Sequence, residues 1–236
     1  MTCILVAHLG NEVIIAADKR VTHIAEDGVK TPCGDTEEKI VRTEVGVITG
    51  AGSLAMLEPV KSLVRDHGFN SPDDVLDLIL RVRDSFSEIH ADNPRLHADL
   101  AETSCMFTYP TLVNDQAVTR FVYFHQQHGA ESLRRLDAGR VMCFPGGFSL
   151  EQTQGLQVKL QDAVTESLKS RPPEQARQLV ISRMLTLMSE ISNTSETVSH
   201  TCDIALVDGR QVYVSMSASA GVEALSFVPM AHLPSC

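Results

Sequence analysis

Tryptophan is absent from the sequence, and three tyrosines and eight phenylalanines leave little from which to build a stacking platform for single-stranded nucleic acid. Positive charge is also scarce: 20 Lys and Arg face 30 Asp and Glu, for a formal net charge of −10. With no basic surplus to neutralise phosphates, the charge argues against a general binder of nucleic acid or of an anionic membrane surface. The short basic groups RVR at 81–83 and Arg134-Arg135 sit beside acidic residues and read as solvated faces. Long apolar runs are missing, so no segment reads as a membrane-spanning helix, and the N-terminus lacks the basic-then-apolar pattern of a secretory signal. Six cysteines (Cys3, Cys33, Cys105, Cys143, Cys202 and Cys236) include no CxxC pair. Their scatter suits a reduced, cytoplasmic chain better than a disulfide framework or a zinc site. HQQH at 125–128 sets two histidines close together, but it directly follows the strand-like FVYF with no third ligand nearby. No metal or other cofactor is expected.

What is present is a chain of 236 residues, 43% hydrophobic and 21% charged, which suits one sizeable globular domain spanning 1–236. CILVAH and EVIIAA flank the turn pair Gly10-Asn11, predicting a hairpin of strands at about 3–8 and 12–17. A polar stretch, HIAEDGVKTPCGDTEE, separates it from two short strands, KIVRT and VGVIT. GAGS then leads into a helix running to about Asp66, in which Pro59 requires a kink or a late start. Ser71-Pro72-Asp73-Asp74 is a strong helix start, with a Ser cap, Pro at the first position and acids against the dipole. Strands follow at SCMFTY, RFVYFH and GRVMCF. Two amphipathic helices at roughly 149–169 and 174–191 are divided by Arg171-Pro172-Pro173, and CDIALV, Asp208-Gly209 and QVYVSMS form a closing hairpin. Helix pairs alternating with antiparallel strand groups predict an α+β fold. The economical packing is a four-layer α-β-β-α sandwich, two antiparallel sheets flanked by helix pairs.

The first hairpin begins directly after Met1-Thr2 and ends in Asp18, Lys19 and Arg20. Removal of Met1 would leave Thr2 with a free α-amine, and such an amine can take the proton of its own hydroxyl and activate it as a nucleophile. The hairpin brings Asp18 beside the start of the first strand, and Lys39, opening KIVRT, is a candidate cation for Asp18 to hold. Singly, each residue has an ordinary reading: Thr at position 2 is commonplace, Asp ends many strands, and Lys is mostly solvated. Their order on these elements sets them apart.

VIIAADKRVT resembles the second-strand signature of proteasome β-subunits and their bacterial relatives, the N-terminal nucleophile (Ntn) hydrolases. Lys39-Ile40 is similar to the family's K-[IVL] strand start, and Ile48-Thr49-Gly50 to its turn before the first helix. GAGSLAMLEPV and the chain length look most like the bacterial ancestral β-subunit (Anbu) group; the peptidase subunit of the HslUV protease is another relative. The resemblance implies a threonine peptidase or amidase. Thr2, Asp18 and Lys39 would be catalytic, Gly50 would supply an oxyanion-hole N–H, and Val21, Thr22 and Ile48 would bind substrate. It further implies a self-compartmentalising homo-oligomer, as rings or a spiral, acting on peptide or protein substrates, with an ATP-dependent unfoldase as a possible partner. Two departures stand out. Phe144–Ser149 carries Pro145 and Gly146 where the family has an amine-binding serine, leaving Ser149 nearby. SNTSETVSHTCD replaces the family's segment before the last hairpin and offers Ser195 and Ser199. These departures keep open a catalytically silent ring-forming scaffold, and an Ntn amidase or transpeptidase with a non-protein substrate. Cys3 is disfavoured as an alternative nucleophile, because strand alternation turns it to the face opposite Thr2.

Overall fold

The computed structural model describes residues 2–25, 29–221 and 225–232. Met1 and Leu233–Cys236, on which the expected processing and the tail fall, lie outside the described residues. In chain order the elements begin with β1 (Cys3–His8), β2 (Glu12–Asp18), β3 (Val21–Ile24), β4 (Lys30–Gly34), β5 (Val41–Arg42) and β6 (Val47–Ala51). Helices α1 (Leu54–His67), α2 (Pro72–Ile89) and α3 (Leu96–Glu102) follow, then β7 (Ser104–Val113), β8 (Gln116–His125), β9 (Arg134–Leu136) and β10 (Val141–Pro145). The chain continues through α4 (Leu150–Ser170), α5 (Pro173–Ser192), β11 (Cys202–Asp208), β12 (Gln211–Ala218) and β13 (Val228–Pro229).

Two antiparallel sheets, ordered β10-β1-β2-β11-β12-β13 and β5-β6-β7-β8-β9, form the body, and β3-β4 makes a separate ribbon. The period-2 alternation of strands decides the layering. In β1 and β2, Cys3, Leu5, Ala7, Ile14 and Ala16 point one way and pack with Leu160, Val164 and Met184 of α4 and α5. Ile4, Val6, Val13, Ile15 and Ala17 point the other way and meet Val47, Ala51, Met106 and Phe121 of the second sheet. That sheet's opposite face, with Ile48, Phe107 and Phe124, packs on Leu57, Val60 and Ile79 of α1 and α2. Three apolar clusters between four layers give the α-β-β-α sandwich.

Several elements differ from the sequence expectation. The polar stretch after the first hairpin contains the β3–β4 ribbon, where every β4 residue is exposed. Its surface-facing side chains leave no apolar alternation to read. Lys39 does not open a strand: β5 starts at Val41. Pro59 lies inside α1, which begins at Leu54, so the late start is not adopted. Short α3, β9 and β13 were not expected at all, because a few residues carry too little periodicity. The Ser71 cap forms as read and the structure extends it to a capping box, with Ser71 Oγ accepting from the Asp74 N–H and Asp74 accepting from the Ser71 N–H.

Candidate active site

Thr2 precedes β1 and is 8% exposed. Its carbonyl accepts the Gly146 N–H at 2.9 Å, which ties it to the turn after β10. The next residue, Cys3, donates its N–H to Asp18 Oδ1 at 2.8 Å. That same oxygen accepts the Lys39 ammonium at 2.7 Å, and Lys39 also donates to the Arg20 carbonyl at 2.7 Å. Asp18 Oδ2 takes the backbone N–H groups of Arg20 at 2.9 Å and Ser199 at 3.3 Å. Four donors thus occupy a carboxylate that is fully buried, which is the condition for an ionised group to sit in a dry environment. Burial lowers the pKa of Lys39 below the ordinary lysine range, while the charge and hydrogen bond of Asp18 act in the opposite direction.

The charged triplet after Ala17 places each member against its own partner. Asp18 holds Lys39, Lys19 holds Asp203 with Nζ 3.1 and 3.0 Å from its two oxygens, and Arg20 makes a bidentate pair with Asp35 at 2.7 Å. Arg20 also donates to the Glu196 carbonyl at 2.7 Å. Ser199, one of two serines singled out in that segment, lies against this cluster: its Oγ accepts the Lys19 N–H at 2.8 Å and donates to the Thr201 carbonyl at 2.6 Å. Ser195 does not join it and pairs with the Thr197 hydroxyl at 2.9 Å. Ser149 is used locally. Its hydroxyl caps α4 by accepting the Gln152 N–H at 3.2 Å, so it is committed to the helix end.

Gly50 lies in β6, where Val47 directs its N–H to Thr108 Oγ1 of β7 while Gly46 and Thr43 exchange bonds on the opposite side. Alternation then turns the Gly50 N–H away from β7, toward β5. β5 pairs with β6 at Val41 with Ile48 and Arg42 with Val47, and Lys39 lies two residues before Val41 while Gly50 lies two residues after Ile48. A side chain is not tolerated there, since a Cβ would fall 2.4 Å from Leu57 Cδ2 and 2.5 Å from the Ser104 carbonyl. Val21 and Thr22 are half-buried at the start of the ribbon, and Thr22 Oγ1 is buried without a hydrogen-bond partner among the described residues. Ile48 does not wall an open pocket. It is 1% exposed and sealed under α1 with Leu57 and Val60, because its place in the pleat faces the helices.

Cys3 is fully buried on the helix side, and burial together with the Asp18 charge pushes its thiol well above the ordinary value. Among the described residues no group of three or more His, Cys, Asp or Glu is arranged to hold a metal, and no helix is long and apolar enough to cross a membrane.

A Gly-1 mutant of Anbu from Hyphomicrobium sp. strain MC1 is similar in structure with a TM-score of 0.57 at 15% sequence identity, over 94% of this chain and 89% of that one. The chain has a proteasome-like Ntn hydrolase fold. Eukaryotic HslV from Trypanosoma brucei is also similar, at a TM-score of 0.46 and 12% identity over 87% of this chain and 99% of that one. No protein-family model and no curated protein matches the sequence. Within this Ntn hydrolase fold, Lys19–Asp203 and Arg20–Asp35 are the parts of the site that sequence reading missed. A charged residue inside the otherwise apolar CDIALV strand was the available signal for Asp203.

Proposed function

We propose that this chain is a threonine peptidase of the Ntn hydrolase type, acting through Thr2 once the residue before it has been removed. The observation that carries the reading is the buried Lys39 ammonium sharing Asp18 Oδ1 with the N–H that follows Thr2. A cation fixed there disfavours protonation of the Thr2 amine, which can then accept the hydroxyl proton as Oγ bonds to the scissile carbonyl carbon. The Gly50 N–H stabilises the oxyanion, and the amine passes the proton to the leaving nitrogen as the C–N bond breaks. Water then cleaves the ester and returns Thr2. An extended peptide would pair with the backbone at Thr22, since β3 has β4 on one edge only. Val21 would border the first side-chain pocket. Assembly into a ring or spiral of identical chains, with an unfoldase feeding it, completes this reading.

One observation favours the silent-scaffold reading. No serine side chain stands at Pro145-Gly146, and Ser149 is spent as a helix cap, so the turn beside Thr2 contributes a backbone N–H to its carbonyl instead. Intact mass spectrometry after exposure to a β-lactone separates the two. Acylation that disappears in Thr2→Ala and falls at least about a hundredfold in Lys39→Met supports the peptidase, by the usual weight of a group acting on the nucleophile's proton. Retention of Met1, or acylation equal to the Thr2→Ala control, leaves only the scaffold.

A further inference from the structure

Of the three charges that end β2, Asp18 anchors Lys39 and Arg20 ties the ribbon to the segment before β11. Lys19 has a different setting. The β1–β2 register ends at Ile4 with Ala17, and Thr2 and Lys19 are each two residues beyond that last pair. Val13, Ile15 and Ala17 of β2 and Ala205 and Val207 of β11 face the layer between the sheets, and Lys19 and Asp203 continue those two alternations. Thr2 continues the alternation of Ile4 and Val6, so all three residues fall on one face at one end of the sheet. The Lys19 and Asp203 side chains are 10% and 2% exposed, with the ammonium 3.0 Å from Oδ2. Asp203 is held from the other side by the Ser217 N–H at 2.8 Å, and Ser217 adopts a left-handed backbone with φ 52. That conformation falls at the register shift between β11 and β12, where the bulged strand turns the Ser217 N–H onto the carboxylate.

Resting on the nucleophile reading above, we propose that Lys19 and Asp203 form a positioning pair that sets the proton affinity of the Thr2 amine. While intact, the pair is neutral and leaves Lys39 and Asp18 to define the local field. The titratable groups on the elements packed around Thr2 are Asp18, Lys19 and Arg20 at the end of β2, Lys39 before β5, and Cys202 and Asp203 on β11. Cys3 and Cys143 on β1 and β10, Asp35 and Glu37 between β4 and β5, and Glu196 and His200 in the segment before β11 also belong to this set. The described thiols among these face the α4–α5 side. Lys19 and Asp203 are therefore a charge pair on the inter-sheet face whose members can be removed one at a time without touching the Lys39–Asp18 contact.

The signs are opposite for the two members. Asp203→Asn keeps an acceptor for the Ser217 N–H but leaves the Lys19 charge uncompensated, which disfavours the ammonium form of Thr2 and lowers its pKa. Lys19→Met leaves the Asp203 charge and raises it. For a unit charge several ångströms away behind a partly dry wall, the shift is roughly half to one pH unit. The test is the pH dependence of β-lactone acylation of Thr2, followed by intact mass on chains that begin at Thr2. The acid limb moves down in Asp203→Asn, up in Lys19→Met, and returns to the parent position in the charge-neutral double variant Lys19→Met/Asp203→Leu. If Lys19→Met folds poorly, Lys19→Gln removes the same charge with a polar side chain and carries the same expected upward displacement. Acylation with unmoved limbs, or limbs displaced in the same direction by both single changes, overturns this inference and leaves the nucleophile standing. A parent chain that is not acylated at Thr2 overturns both.

Discussion

The Lys39–Asp18 pair and the Arg20–Asp35 pair are chemically alike yet energetically different, because one is buried and the other open to solvent. Lys39 and Asp18 side chains are 5% and 0% exposed, whereas Arg20 and Asp35 are 20% and 39% exposed. Removing one partner of a dry pair strands the other charge, so Lys39→Met is expected to destabilise the fold by about 3–5 kcal/mol in urea titration. Asp35→Asn, in a solvated pair, is expected to cost about 1 kcal/mol or less in the same measurement. Equal losses for the two would show that burial is not what distinguishes them. The cysteines divide in the same way. Burial drives the thiols of Cys105, Cys143 and Cys202 up to about 12, while Cys33 is exposed on β4. A thiol reagent at pH 8 on the folded chain is expected to label Cys33 and leave the other four described cysteines untouched until denaturant is added. A peptide map carrying label on Cys3 before unfolding would contradict the packing of β1.

At the scale of elements, β10 is the outer strand of its sheet, and two glutamines of α4 cover its open edge. Gln157 accepts the Cys143 N–H at 3.0 Å and donates to the Val141 carbonyl at 2.9 Å. One turn later, Gln161 accepts the Val141 N–H at 3.2 Å and donates to the Gly139 carbonyl at 2.8 Å. Spaced four apart on a helix face, the two amides act as a surrogate strand, which protects an edge that would otherwise pair with another chain. Gln157→Leu or Gln161→Leu leaves buried peptide groups unsatisfied and is expected to cost about 1–3 kcal/mol each. Hydrogen exchange at Val141 and Cys143 should quicken in the corresponding variant; unchanged exchange would mean that water serves the edge as well. This device was not legible in the sequence, because Gln157 and Gln161 look like ordinary polar positions of an amphipathic helix. By contrast, α2 was legible to the residue at its start, since the Ser71 cap, Pro72 and Asp74 act within a single turn. The β3–β4 ribbon and α3 were illegible for the converse reason: neither buries an apolar stripe that would imprint a period.

The whole molecule is held by three apolar layers, and the candidate site sits where the inter-sheet layer reaches the N-terminal end of β1. Leu150 and Val158 on α4 are 75% and 57% exposed, and Ile89 at the end of α2 is 76% exposed. Such side chains fit the proposed assembly of identical chains. Light scattering after size exclusion is expected to give a mass several times the 25.8 kDa of one chain; a monomer at micromolar concentration would remove self-compartmentalisation from the proposal. The sequence by itself determined the order of the long elements and the layer class, and it pointed to the first half of the candidate site. Apolar periodicity, turn pairs and caps are local, and Thr2, Asp18 and Lys39 lie on consecutive pieces of one short segment. Tertiary structure alone decided which partner each charge received. Asp203, Ser199 and Ser217 reach the end of β2 only because β11 pairs beside it, some 180 positions along the chain. Hydrogen-bond partners of that separation are selected by sheet register, and no local pattern records them.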